Sequence, residues 1–394
     1  MTASRLFSEF FNSEKSSGIV LILCTIVSLV VANLFAGPGY FDFWHQKAGF
    51  SAAGIDLNLS IEHWVNDGLM TLFFLLVGLE IERELYIGEL SDFKNAVLPL
   101  FAAAGGMLLP ALFHYLLNAG TETAGGFGIP MATDIAFALG ILSLGGKRVP
   151  LALKIFLTAL AIMDDLGAII IIALFYTNEL QTNYLFAAAG IFALLIILNR
   201  LRVHQLLWYL LGGVIMWYCL LQSGVHATIT GVLLAFAIPF GDGKESSPSW
   251  LLQHWLHIPV AFIIVPLFAF VNTGILFNTP IMAVLSSRNA LGIIAGLVLG
   301  KPLGILLFSF LAVKLKLARI PEGVNWIHLT GAGLLAGIGF TMSIFITLLA
   351  FENPVFIQYS KIAILLSSLL AGCLGYFIIK LAIRNEKNNL ADEG

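Results

Sequence analysis

Apolar runs of helical length recur along nearly the whole chain, separated by short polar stretches. They predict membrane spans at about 17–36, 60–82, 96–117, 126–145, 151–175, 182–199, 206–221, 224–239, 256–277, 290–313, 328–350 and 357–380. A hydrocarbon core of ~30 Å takes about 20 such residues as a helix. One connection is long, the segment 37–60. There and just beyond, Ile55, Leu57, Leu59 and Ile61 alternate with Asp56, Asn58, Ser60 and Glu62. That period of two predicts strand structure over about 40–60. A strand pair is unstable alone, so it is expected to pack on the membrane domain or on a second subunit. An irregular loop with chance alternation is the competing reading.

Composition fits a chain solvated by lipid. Hydrophobic residues make up 59%, charged residues 11%, and mean hydropathy is +0.94, against about 25% charged residues in soluble proteins. This excludes a large soluble core and predicts an all-α polytopic membrane protein, a single membrane domain over 1–394. The net charge of −3 gives no basis for nucleic-acid binding. Cys24, Cys219 and Cys373 lie inside apolar runs without metal-type spacing and read as buried thiols. The first apolar run, Gly18 to Ala36, exceeds a signal-peptide core of ~7–15 residues and reads as a retained span. Of the twenty Lys and Arg, all but Lys47, Arg288, Lys361 and Lys301 fall on the termini or on the loops and span ends level with them. The twelve apolar runs, an even number, put both termini on one side, and the positive-inside bias makes that side cytoplasmic.

The fourth span, Gly125-Gly-Phe-Gly-Ile-Pro-Met-Ala-Thr-Asp-Ile-Ala-Phe-Ala-Leu-Gly140, and the eleventh, Thr330-Gly-Ala-Gly-Leu-Leu-Ala-Gly-Ile-Gly-Phe-Thr-Met-Ser343, are both rich in Gly. Weakened helices at corresponding places in two halves point to a transporter binding site. The halves are spans 3–5 and 10–12, about 93–176 and 290–380. Corresponding spans are seven apart, an odd number, which makes the second half an inverted-topology repeat. Ordinary small-residue packing between helices would also explain the glycines.

Within those halves stand charges deep in the apolar runs. Asp164 and Asp165 are adjacent in the middle of the fifth span, where one carboxylate alone costs ~2.5–3.5 kcal/mol on insertion scales. Two adjacent anions repel, which favours binding of a cation, a proton, or both in turn. A broken helix leaves partial positive charge at a half-helix N-terminus and partial negative charge at a C-terminus. Asp134 is placed to neutralise the former. Lys301 is placed to neutralise the latter or to pair with an aspartate of span 5, and a purely structural ion pair is the alternative. Thr133 adds a hydroxyl beside Asp134.

These motifs resemble those of the NhaA-type sodium/proton antiporters of bacterial inner membranes. The resemblance is carried by Ala132-Thr-Asp-Ile-Ala-Phe-Ala-Leu-Gly140, Ala161-Ile-Met-Asp-Asp-Leu-Gly-Ala168, Gly224-Val-His-Ala-Thr228, Gly300-Lys-Pro-Leu-Gly304 and Gly337-Ile-Gly-Phe-Thr-Met-Ser343. It implies twelve helices with spans 4 and 11 unwound and crossing, the inverted-repeat architecture for which this family is a known example. It implies that Asp165 binds Na+ or Li+, that Asp164 shares in proton exchange, and that Lys301 pairs with Asp164 in one state. It also implies that Asp134 and Lys301 balance the half-helix charges, that Asp67 belongs to an outer funnel, and that the protein is a homodimer touching through the outer strand segment. Activity would be electrogenic export of cytoplasmic Na+ or Li+ in exchange for external H+, without a cofactor.

Glu80, Arg83 and Glu84 share one face at the cytoplasmic end of span 2, and His254 and His257 begin span 9. The resemblance associates these regions with pH activation; solvated helix ends with ordinary ion pairs explain them equally. Gln253 and Trp250 depart from the acidic and basic residues usual in the family, which thins that cluster. His226 matches the Gly-Val-His-Ala-Thr motif and also fits a hydrogen-bonded structural role. An organic-anion symporter would be expected to offer more deep cations than Lys301. An intramembrane aspartyl protease needs aspartates from different helices, and a retinal protein normally has fewer spans.

Overall fold

The computed structural model describes residues 3–52, 55–177, 180–276 and 280–392. Among these, nine helices are long and apolar enough to cross a bilayer, and two bent helix pairs raise the count to eleven. The bent pairs, Glu122–Met131 with Ile135–Ser143 and Trp326–Ala336 with Phe340–Ala350, fall on the Gly-rich fourth and eleventh spans. The predicted eighth span is different. Its helix is only Ile229–Ala237, nine residues, which rises ~14 Å and is too short to cross alone. The rest of that apolar run turns at Gly224, whose φ of 84° is left-handed.

Helix, strand and loop follow from local chemistry. Residues 47–60 form the predicted hairpin in small pieces: β1 (Lys47–Ala48) pairs with β4 (Leu59–Ser60), and β2 (Ser51–Ala52) with β3 (Ile55–Asp56), both antiparallel. Its tip at 53–54 lies outside the described residues. The alternation does not continue as strand to Ile61. Ser60 Oγ accepts from His63 N at 3.1 Å and starts a helix there. Upstream, a short helix, Pro38–His45, occupies part of the segment expected to be strand.

The chain forms two compact units, one of residues 1–19, 89–168 and 278–394, the other of 20–88 and 169–277. In the first, Lys94–Asn118 packs along Arg288–Lys314 through glycines. A Cβ on Gly304 would collide with the carbonyl of Gly105, and one on Gly105 with the carbonyl of Gly304. Only bare backbone permits this approach. Gly304→Ala should therefore lower stability by roughly 1–3 kcal/mol through overpacking. The check is thermal melting of the purified protein in detergent, and an unchanged melting temperature would count against the close contact. Nearby, Trp326–Ala336 lies against Pro354–Arg384, with Gly331 facing Ile379 and Gly375 facing Leu335.

In the second unit, Ile61–Tyr86 packs on the short Ile229–Ala237, where Gly78 faces Ala235. Leu75, Leu79, Leu195, Tyr209, Met216 and Leu234 are buried in one apolar cluster. Several polar groups at this depth are hydrogen-bonded, which offsets their cost in lipid. Ser28 donates to the Phe270 carbonyl at 2.7 Å, Asn272 bonds Asn66 at 2.7 Å, and the Tyr209 hydroxyl bonds the Val203 carbonyl at 2.9 Å.

Candidate functional site

In the first unit the two breaks meet each other. Backbone N of Asp134 donates to the Ile338 carbonyl at 2.6 Å, and the Thr133 hydroxyl lies 2.9 Å from the Ala336 carbonyl. The first break has a plain cause. Gly125, Gly126, Gly128 and Pro130 give Glu122–Met131 a 3-10 geometry, far longer than the three or four residues such turns usually last. Chain leaves helical geometry at Ala132 and re-enters it after Asp134.

Four half-helix ends are thus brought together in the membrane interior, and each is satisfied. Asp134 serves both N-terminal ends. One carboxylate oxygen accepts from Phe137 N at 3.1 Å, capping Ile135–Ser143. The other accepts from Thr341 N at 3.2 Å and from the Thr341 hydroxyl, at the start of Phe340–Ala350. Ser368 Oγ accepts from Phe340 N at 3.2 Å. At the C-terminal ends, Lys301 Nζ donates to the Met131 carbonyl, Ser343 Oγ donates to Ile129 O at 2.7 Å, and Thr133 serves Ala336. Anion at the N-termini and cation at a C-terminus is the arrangement the helix dipole favours.

Leu151–Phe175 brings Asp164 to this crossing. Lys301 Nζ stands 2.9 Å from Asp164 Oδ2, and both side chains are fully buried. Thr133 Oγ1 reaches the same oxygen at 2.7 Å. A hydroxyl has one proton, so Thr133 donates to Asp164 or to Ala336 at any moment. Asp164 Oδ1 is buried with no hydrogen-bond partner among the described residues. Asp165, next in the chain, is 3% exposed. The cluster therefore couples the Asp164 carboxyl, one ammonium, one hydroxyl and the C-terminal ends of two helices, with Asp165 next to it in the chain. Its donor atoms are hard oxygens, which suit a small hard cation and a proton alike. Among the described residues, no group of three or more His, Cys, Asp or Glu side chains gathers into a metal site.

The remaining predicted residues lie in the second unit. Asp67 sits near the start of Ile61–Tyr86, with His63 Nε2 at 2.7 Å from its carboxylate. Arg83 pairs with Glu84 at 3.1 Å, and Glu80 is half-buried on that helix. Glu82, assigned no role from sequence, is buried, and its Oε2 has no hydrogen-bond partner among the described residues. His226 Nε2 bonds the Tyr176 carbonyl. His257 is half-buried, while His254 is exposed and stacks on Trp250, ring centroids 5.1 Å apart. Thr341, Ser343, Ser368 and His63 were not singled out as site residues. For Thr341 and Ser343 the signal existed: both stand in the polar tail of the Gly-rich eleventh span.

The family described as Na+/H+ antiporter 1 matches residues 8–379. The chain belongs to that family. Among its relatives, the Na(+)/H(+) antiporter NhaA of Dechloromonas aromatica is 59% identical over 387 residues, covering 97% of each chain. The NhaA antiporter of Flavobacterium psychrophilum is 57% identical over 98% of both chains. That of Helicobacter pylori is 46% identical over 94% of both. Membership together with the apolar helices makes this a multi-pass membrane protein of a transporter family.

Proposed function

We propose that the protein exports Na+ or Li+ from the cytoplasm in exchange for external H+, with Asp164 and Asp165 as the exchange site. One observation carries the reading: adjacent buried carboxylates lie at the meeting point of two broken helices, one of them paired with a buried lysine. The names of the relatives supply the ions.

Successive helical residues point ~100° apart, so Asp165 can face a water-filled path while Asp164 faces Lys301 and Thr133. Protons and the cation compete for the same oxygens. Exposing one site alternately to the two sides then yields exchange without a second pathway. If more protons move in than cation charge moves out, an interior-negative potential drives the cycle by ~2.3 kcal/mol per charge per 100 mV. Asp134 and Lys301 hold the half-helix ends while this happens.

The same reading assigns twelve spans, counting Ile229–Ala237 as the core of a short eighth, with both termini on the cytoplasmic side of a bacterial inner membrane. It assigns inverted repeats at about 93–176 and 290–380, supported by a bent pair as the middle member of each. Asp67 lines the outer funnel, and the 47–60 hairpin contributes to a homodimer. Glu80, Arg83, Glu84, His226, His254 and His257 are the pH-response candidates, in a cluster thinned by Gln253 and Trp250.

The test uses everted membrane vesicles, with cation-induced pH change followed across a pH series. Sodium and lithium should each dissipate an imposed proton gradient and potassium should not. A gradient insensitive to both at every pH would overturn the exchange reading.

A further inference from the structure

The strongest unassigned constellation lies at the other end of the second unit, around His63. The turn Trp64–Leu69 of Ile61–Tyr86 is π-helical. The turn is a π-bulge of the kind that marks functional places in helices, and residues four apart on a helix are neighbours on one face. That places His63 Nε2 2.7 Å from Asp67 Oδ2, with the imidazole 44% and the carboxylate 16% exposed. The turn is buttressed. The Asp67 carbonyl accepts the Trp217 indole at 3.2 Å and the Thr71 hydroxyl, and Trp64 stacks on Trp217 with centroids 5.8 Å apart. Asp67 is thereby held in a fixed place, with its charge covered by one titratable group that water can reach.

We infer that His63 is a proton-operated cover on Asp67, which sets the charge of the outer mouth and so tunes its attraction for external Na+. The inference rests on the proposed topology, in which this helix end faces outward. As imidazolium, His63 neutralises the Asp67 carboxylate; as neutral imidazole it leaves the negative charge in place. Histidine makes that change near neutral pH. In acid the mouth holds fewer cations, and Na+ released outside is recaptured less. In base the carboxylate draws external Na+ back.

Among the described residues the charged neighbours are few. On the same helix Glu62 is engaged by His45, at 3.0 Å. His226, ahead of Ile229–Ala237, is electrostatically coupled to Asp67. The hairpin brings Lys47 into register with Ser60. From Val265–Asn272 comes only the uncharged Asn272, bonded to Asn66, and from Leu206–Ser223 the neutral Trp217. His63 is the group that touches the carboxylate.

The test measures half-saturation by external Na+ in reverse exchange, using proteoliposomes of defined orientation with the pH of each face stepped separately. His63→Arg keeps the cover charged at all pH values; His63→Gln never charges it. At the alkaline end of the series, where the wild-type requirement no longer changes with pH, the Arg variant should need about tenfold more external Na+ than wild type, the lower end of what a charged mouth does to local ion concentration. At about pH 5 the Gln variant should need correspondingly less than wild type. Maximal rates and melting temperatures of both should stay near wild type. Profiles that coincide for all three proteins at both faces overturn the inference and leave the topology standing. A divergence that follows the pH of the opposite face overturns the topology, and the outward assignment with it.

Discussion

Asp165→Asn should abolish sodium-induced proton movement in everted vesicles at every pH. Asparagine keeps the volume and an acceptor oxygen, so the buried position is not emptied. It loses both functions the exchange requires, since it can neither balance a cation nor hold and release a proton. Outer-shell changes at a metal site already cost ~10–100-fold in affinity, and loss of a charged ligand should exceed that range. The protein should still insert and melt near wild type, because asparagine is almost isosteric with the aspartate it replaces. Asp165→Glu, which restores the charge one methylene further out, should recover measurable transport with altered sodium dependence. Full activity in Asp165→Asn would move the ion site elsewhere.

Lys301→Met should be damaging in a different way, through stability as well as transport. It leaves Asp164 buried without its counter-charge and the Met131 carbonyl without its ammonium donor. Breaking a buried pair by removing one partner costs about 3–5 kcal/mol, and the freed carbonyl adds about 1–3 kcal/mol. Thermal unfolding in detergent reads the loss directly. The double variant, Lys301→Met with Asp164→Asn, removes the stranded anion. It should regain a large part of the stability while remaining inactive in vesicles. A single variant as stable as wild type would show that the pair contributes little, and a double variant no better than the single would place the cost in packing rather than charge.

What could be read from the sequence follows from what hydropathy measures. Long apolar runs report on solvation, so helices such as Lys94–Asn118 and Leu151–Phe175 were visible. Hydropathy does not report backbone hydrogen bonding, so the run 224–239 does not disclose that Gly224–Thr228 forms turns and only Ile229–Ala237 is helical. Asp134, Asp164, Asp165 and Lys301 stood out because charge in lipid is costly. Their hydroxyl and carbonyl partners did not. Thr and Ser in helices usually bond back to their own chain, as Thr347 does to Ser343 O. Nothing local says that Thr341 instead turns to Asp134, 207 residues away. His63 was hidden for the opposite reason: His and Asp four apart at a helix end look like ordinary solvated residues, and only the fold shows the carboxylate half-buried under the imidazole.

The glycine contact between Lys94–Asn118 and Arg288–Lys314 bears on mechanics. Lys301 lies one turn from Gly304, and the stem of its side chain passes Gly106. The ammonium is thus mounted on the stretch where two backbones touch and have least freedom to slide. What it grips, the Met131 carbonyl and the Asp164 carboxylate, belongs to other segments, one of them the end of a broken helix. For the proposed transport cycle the consequence is a division of labour: the lysine is mounted where the packing leaves least room, and the segments it grips are the ones left to move.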